Sequence, residues 1–148
     1  MQLDNLYQEV ILDHYKNPQN KKLAEISDAQ VHHVNPSCGD EITLALTLDG
    51  DKVSSVTWDG VGCSISQASA SIMSDLLIGK SIEEAQGISD EFLELMQSKG
   101  SIEGNDEVLE DAVALAGVSK YPARIKCALL GWMAYKDACL QAQSKKSH

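Results

Sequence analysis

The stretch ITLALTLDGDKVSSVTWDG, residues 42–60, decides the fold. Ile42, Leu44, Leu46 and Leu48 alternate with Thr43, Ala45 and Thr47, the period of two expected of a half-buried strand. Asp49-Gly50 is a tight-turn signal, so the next run, Lys52–Gly60, is predicted to return antiparallel as a hairpin. AQVHHV (29–34) reads as one further strand, giving a sheet of about three.

Outside the sheet the chain turns helical. Upstream, Leu3, Leu6, Tyr7, Val10, Ile11 and His14 recur at spacings of three and four, one face of an amphipathic helix ended by Asn17-Pro18. Residues 18–30 read as loop. Downstream, CSISQASASIMSDLLIGK (63–80) is rich in small residues and stops at Gly79, as a closely packed helix would. Ser81-Ile-Glu-Glu has capping-box spacing. Ser89 is expected to cap a helix over DEFLELMQSKG, and residues 106–116 to form another. Pro122 suits the first turn of a last helix running through Cys139. Helix, three strands, then helices predict one α+β domain over residues 1–148, a small antiparallel sheet with helices packed on one face.

Bulk properties exclude several classes. With 148 residues, 43% hydrophobic and 23% charged, the chain can build a true core. A net charge of −10 argues against nucleic-acid binding by bulk electrostatics, and the basic Lys145-Lys146 end reads as a solvated tail. The first fifteen residues mix acids with apolar groups, unlike a signal peptide, and no run approaches the ~20 apolar residues needed to cross a bilayer. A cytoplasmic location without membrane contact is expected, where thiols stay reduced.

That makes the four cysteines informative. Cys38 sits in a Pro/Gly turn, NPSCGD, two residues before Asp40 and at the mouth of a strand. Cys63 follows WDGVG, at the end of the returning strand and the start of a helix. If the hairpin forms, Cys38 and Cys63 share one end of the sheet. A helix N-terminus favours a thiolate at Cys63, and the cations Arg124 and Lys126 favour one at Cys127. Cys139 lies twelve residues beyond Cys127 on one helix, roughly 18 Å along its axis, so one ion cannot reach both; it reads as packing. Three thiols and one carboxylate (Cys38, Asp40, Cys63 and Cys127) would make a workable tetrahedral zinc site, two of them on glycine-flanked loops that can bend to fit. The spacing is not a paired CxxC motif, so scattered core cysteines remain the competing reading. His14 reads as a core or surface histidine. His32 and His33 should point to opposite faces of a strand, so at most one could approach the site. Trp58, Trp132 and Tyr135 read as core. There is no phosphate loop, no Ser-His-Asp order and no dinucleotide fingerprint.

PSCGD, then GVGCSISQASASIMSDLL, then RIKCALLGW resemble the three signature segments of the SufU/IscU/NifU-N family of iron–sulfur biogenesis proteins, and the resemblance extends to LYQEVILDHYKNP. It implies the α+β fold of SufE- and IscU-like proteins. It also implies a place within the family. Scaffold members carry a histidine immediately before the third cysteine, where this chain has Lys126. They carry a Leu-Pro-Pro-Val-Lys chaperone motif, where this chain has VSKYPARIK. They are shorter between the second and third cysteines, which makes the stretch around 82–104 look like an insertion. All three departures resemble the SufU branch. The resemblance thus implies a zinc-dependent sulfurtransferase, with zinc on Cys38, Asp40, Cys63 and Cys127. It would take persulfide sulfur onto Cys38 from a SufS-type cysteine desulfurase, a pyridoxal-phosphate enzyme, for a SufB-containing assembly complex. A histidine of the desulfurase would displace Cys38 from the metal, and Arg124 is expected to help dock or orient that partner. The alternative within the family is a scaffold that assembles an iron–sulfur cluster on the same ligands.

Overall fold

The computed structural model describes residues 5–146; the expected contributions of Leu3 and His148 lie outside them. The hairpin forms as the alternation predicts. β1 (Ala29–Asn35), β2 (Asp40–Asp49) and β3 (Lys52–Val61) make one antiparallel sheet in the order β1-β2-β3. Gly50 takes the left-handed backbone (φ +62°) that the two-residue turn between β2 and β3 requires. Lys52–Val56 breaks strict alternation for a structural reason. The register shifts between Thr47 and Leu48, Val53 pairing Leu48 and Ser55 pairing Thr47. Ser54 is therefore the extra residue of a bulge, and Val53 and Val56 both face inward although three apart.

The inner face, Ile42, Leu44, Leu46, Leu48, Val53, Val56 and Trp58, is buried. It is covered by α2 (Ser64–Leu77) and α5 (Pro122–Lys146), with α1 (Asn5–Lys16) packed on α2. Helices on one face of a three-stranded sheet are thus the observed architecture. The other face is partly dressed by the segment between α1 and β1. Asn20 O accepts from Trp58 N–H (3.1 Å), the Ala24 N–H donates to Thr57 Oγ1 (2.9 Å), and the Asp28 N–H donates to Leu46 O (2.9 Å). That crossing explains why Ala45, opposite Thr57, is buried on the outward side.

The small residues of α2 permit close approach. A side chain at Gly131 of α5 would press on Ala70 at 3.3 Å. The buried hydroxyls there are paired: Ser69 donates to Ala128 O (2.6 Å) and accepts from Trp132 Nε1 (3.0 Å), while Ser71 bonds His14. His14 is buried, its Nδ1 on Ser71 Oγ (2.8 Å) and Nε2 on Asp111 (2.9 Å), tying α1 to two other elements. Trp58 and Trp132 are core residues, and Trp132 stacks on Phe92 at 4.3 Å.

Two helical expectations need correction. α3 runs unbroken over Ile82–Gln97, so Ser89 caps nothing. The capping box at Ser81 and Glu84 starts the helix, which carries Gly87 within it and continues through Ser89, whose buried hydroxyl has no partner among the described residues. Residues 106–116 are not one helix. α4 is a single turn, Asp106–Leu109, and Glu110–Lys120 winds as tighter 3₁₀ turns. Glu110 adopts φ +47°, which breaks the α ladder, and the run after it is buried on most sides rather than along one stripe.

Two stability measurements check this packing. Ser81→Ala removes a cap and is expected to lower urea-unfolding stability by about 1 kcal/mol. On α5, burial pushes the Tyr135 hydroxyl and the Cys139 thiol above their ordinary ranges. The unfolded chain ionises first, at pH about 9 for the thiol and about 10 for the phenol. It then holds fewer protons than the folded one, so stability is expected to fall as pH rises through 9–10. Among the described residues no helix is long and apolar enough to cross a membrane.

Candidate metal centre

Three chain segments meet at one end of the sheet. The Cys38 N–H donates to Asn35 O (3.2 Å), closing a turn from β1 toward β2. Gly39 then takes φ +70°, a left-handed conformation that returns the chain into β2. Asp40, the first residue of β2, is fully buried. Glu41 pairs with Val61, so the chain leaving β3 passes beside this turn and delivers Cys63 to the N-cap of α2. The first turns of α5 bring in the third thiol, Cys127, also fully buried.

Cys38 Sγ lies 3.2 Å from Cys127 Sγ, and the ligand atoms of Cys38, Asp40 and Cys127 all fall within 4.8 Å of one another. Both thiols face the Ala123 carbonyl at 3.8 Å. Cys38 is open to solvent. Cys63 stands beside Cys127 and Arg124 but is not in this tight group. Its backbone is tied in instead, the Cys63 N–H donating to Asp40 Oδ1 (2.9 Å).

Asp40 carries the strongest sign of a missing partner. Its Oδ1 is satisfied, but Oδ2 is buried with no hydrogen-bond donor. A carboxylate oxygen left unpaired out of water is costly, and a cation is its natural complement. Thiolates with one carboxylate suit zinc, and thiolates also suit iron. The residues therefore fit a metal. Gly62 is what lets Asp40 sit there: any side chain at Gly62 would fall on Asp40 Oδ1 and Ser66 Oγ. Gly62→Ala is expected to push the carboxylate away and to weaken metal binding about 10-fold or more, read by competition with a chromophoric chelator.

The electrostatics correct one expectation. Cations near Cys127 were expected to favour its thiolate. Burial dominates instead, and with Asp40, Cys38 and Cys63 around it the thiol is pushed well above its ordinary range. A bound cation reverses this, because its charge outweighs the desolvation. The exposed Arg124 guanidinium lies against the Cys63 and Cys127 thiols, and the charge Cys63 carries when ionised pushes it above its ordinary value. Lys126 is exposed to solvent.

The remaining candidates lie elsewhere. His33 bonds Asp137 of α5 (2.8 Å) and His32 bonds Thr43 on the outward face (2.9 Å), so they do diverge, and neither joins the cluster. Cys139 is buried and accepts from the Tyr135 hydroxyl (3.7 Å) as a packing residue. One participant was not legible: Asn35, buried, directs Nδ2 at Cys127 Sγ (3.9 Å).

Comparison with known proteins places this arrangement. The NifU-like N-terminal domain matches residues 6–128. The chain is 52% identical over 134 residues to the zinc-dependent sulfurtransferase SufU of Bacillus subtilis, covering 89% of this chain and 88% of that protein. It is 43% identical over 137 residues to the iron–sulfur cluster assembly scaffold protein IscU of Streptococcus pyogenes, covering 92% and 84%. A crystal structure from Fervidobacterium islandicum, described as a candidate iron–sulfur cluster assembly scaffold for the SUF system, superposes with a TM-score of 0.80 at 35% identity, covering 88% of this chain and 93% of that one.

Proposed function

The chain belongs to the NifU-like N-terminal domain family, and from that premise we propose that it serves iron–sulfur cluster assembly as a sulfur acceptor, a zinc-dependent sulfurtransferase working with a cysteine desulfurase in the cytoplasm. The observation that carries the reading is the placing of Cys38, the one solvent-open thiol of a cluster whose other tight members are buried. A donor persulfide can approach Cys38 without unfolding anything.

Zinc, held by Cys38, Asp40, Cys63 and Cys127, would keep these thiols deprotonated and protected from oxidation. The chain's own residues do the rest. The Cys38 thiolate attacks the terminal sulfur of the donor's cysteine persulfide; a new sulfur–sulfur bond forms on Cys38, the old one breaks, and the donor cysteine leaves as its thiolate. No electrons are gained or lost overall. Cys38 lies on an exposed turn closed by its own N–H to Asn35 O, while Cys127 and Asp40 are held by α5 and β2. Arg124, at the rim beside Cys63 and Cys127, supplies a cation to orient the incoming partner. Arg124→Ala is expected to raise the desulfurase concentration needed for half-maximal stimulation several-fold, with zinc content unchanged. Equal stimulation curves would remove Arg124 from this role.

The test is alanine release by a SufS-type desulfurase under reducing conditions, with and without the zinc-loaded protein. Large stimulation is expected. The second reading, a scaffold, rests on the likeness to IscU and on a donor set that also suits iron. No stimulation, together with a stable cluster after anaerobic loading with iron and sulfide, would establish the scaffold instead. The sulfur is expected to pass onward to a SufB-containing assembly complex.

A further inference from the structure

We propose that Asn35 is a positioning residue of the metal centre, its side-chain amide donating to Cys127 Sγ while its backbone carbonyl anchors the Cys38 turn. This role rests on the metal-centre reading of the cluster.

Three of its contacts converge on ligands. Asn35 Nδ2 lies 3.9 Å from Cys127 Sγ. Asn35 O accepts the Cys38 N–H at 3.2 Å. Asn35 pairs directly with Asp40 across β1 and β2, both side chains buried on the same face. No other residue outside the proposed ligand set touches Cys38, Asp40 and Cys127 in this way among the described hydrogen bonds and strand pairs.

The sequence fixes the pose. Pro36 follows Asn35, and the residue before a proline is held in extended backbone. Asn35 therefore stays in strand geometry to the last position of β1, which sets its side chain inward. A buried amide at 7% exposure must find partners there. A thiolate sulfur has no proton and only accepts, so the edge that meets it is the NH₂ group, a donor. Hydrogen bonds to a ligating sulfur draw electron density from it and tune what it holds. Cys127 is too buried to receive that bond from water.

Cobalt(II), a coloured stand-in for zinc, reads this directly. Metal affinity by chelator competition and the thiolate-to-cobalt charge-transfer bands would be recorded for wild type, Asn35→Ala and Asn35→Asp. Asn35→Ala deletes the donor, and Asn35→Asp keeps the shape but places an acceptor against the sulfur. Both are expected to bind cobalt about 10-fold or more weakly, with the charge-transfer bands at longer wavelength because the sulfur is more electron-rich. Unfolding of the metal-free proteins is measured beside them, and Asn35→Ala carries the test if Asn35→Asp does not fold. A merely structural asparagine would shift unfolding and leave the bands where they are. Bands and affinity of Asn35→Ala equal to wild type overturn the inference while leaving the metal centre intact. A wild type that takes up no cobalt overturns both.

Discussion

Cys38→Ser is expected to reduce stimulated alanine release to the rate of the desulfurase alone, a loss of roughly 10³-fold or more in transfer, since a serine hydroxyl is scarcely ionised near neutral pH and cannot accept a persulfide sulfur. The same substitution is expected to change the unfolding free energy of the metal-free protein by no more than about 0.5 kcal/mol, because Cys38 is solvent-open on a turn. Cys127→Ser should behave differently. It puts a hydroxyl into a fully buried site, with an expected cost of about 1–3 kcal/mol. The contrast separates a working thiol from a structural one. If Cys38→Ser and Cys127→Ser damaged stability alike and neither altered sulfur transfer, the centre would be a structural zinc site and the acceptor reading would be lost.

Removing the metal is expected to lower the melting temperature by about 10 °C or more. Asp40 and Cys127 place a carboxylate with one unpaired buried oxygen beside a hard-to-ionise thiol. A cation compensates both in the folded protein and finds no such preformed cluster in the unfolded chain. At free metal ~1,000 times its dissociation constant, the linkage is worth about 4 kcal/mol. For a domain of this size 1 kcal/mol moves the midpoint by roughly 2–4 °C. The increment should be present at neutral and mildly alkaline pH. It should fade as pH falls, because ligation requires deprotonated thiols and protons then compete with the metal. Calorimetry of zinc-loaded and chelated protein across pH 5–8 reads both effects. Coincident melting curves at pH 8 would mean that the cluster holds no metal in the folded state.

Much of the fold is legible in the residues themselves. Alternation at Ile42–Leu48 and the Asp49-Gly50 turn define the hairpin, and the hairpin brings the Cys38 and Cys63 segments to one end of the sheet. Ser81 and Pro122 mark true helix starts. These features are local: a pleat, a turn or a cap is set by residues within a few positions of each other. The mistaken expectations come from local signals overruled from elsewhere. Ser89 has capping chemistry but lies within an uninterrupted helix whose core face, through Phe92, is held by Trp132. Residues 110–120 have helical composition, but nearly all-round burial and the turn at Glu110 impose 3₁₀ winding.

Three thiols and one carboxylate can be picked out as candidates from the chain alone, because Cys38 and Cys63 sit at a turn and a helix start rather than in an apolar run. Their ranking cannot. Only the tertiary structure decided that Cys38, Asp40 and Cys127 close together while Cys63 stands aside, that burial outweighs nearby cations at Cys127, and that Asn35 reaches that sulfur across 92 residues of sequence. Distances between side chains on different elements, and the water they exclude, arise from how α5 lies against β1 and β2. No local pattern of residues encodes that packing.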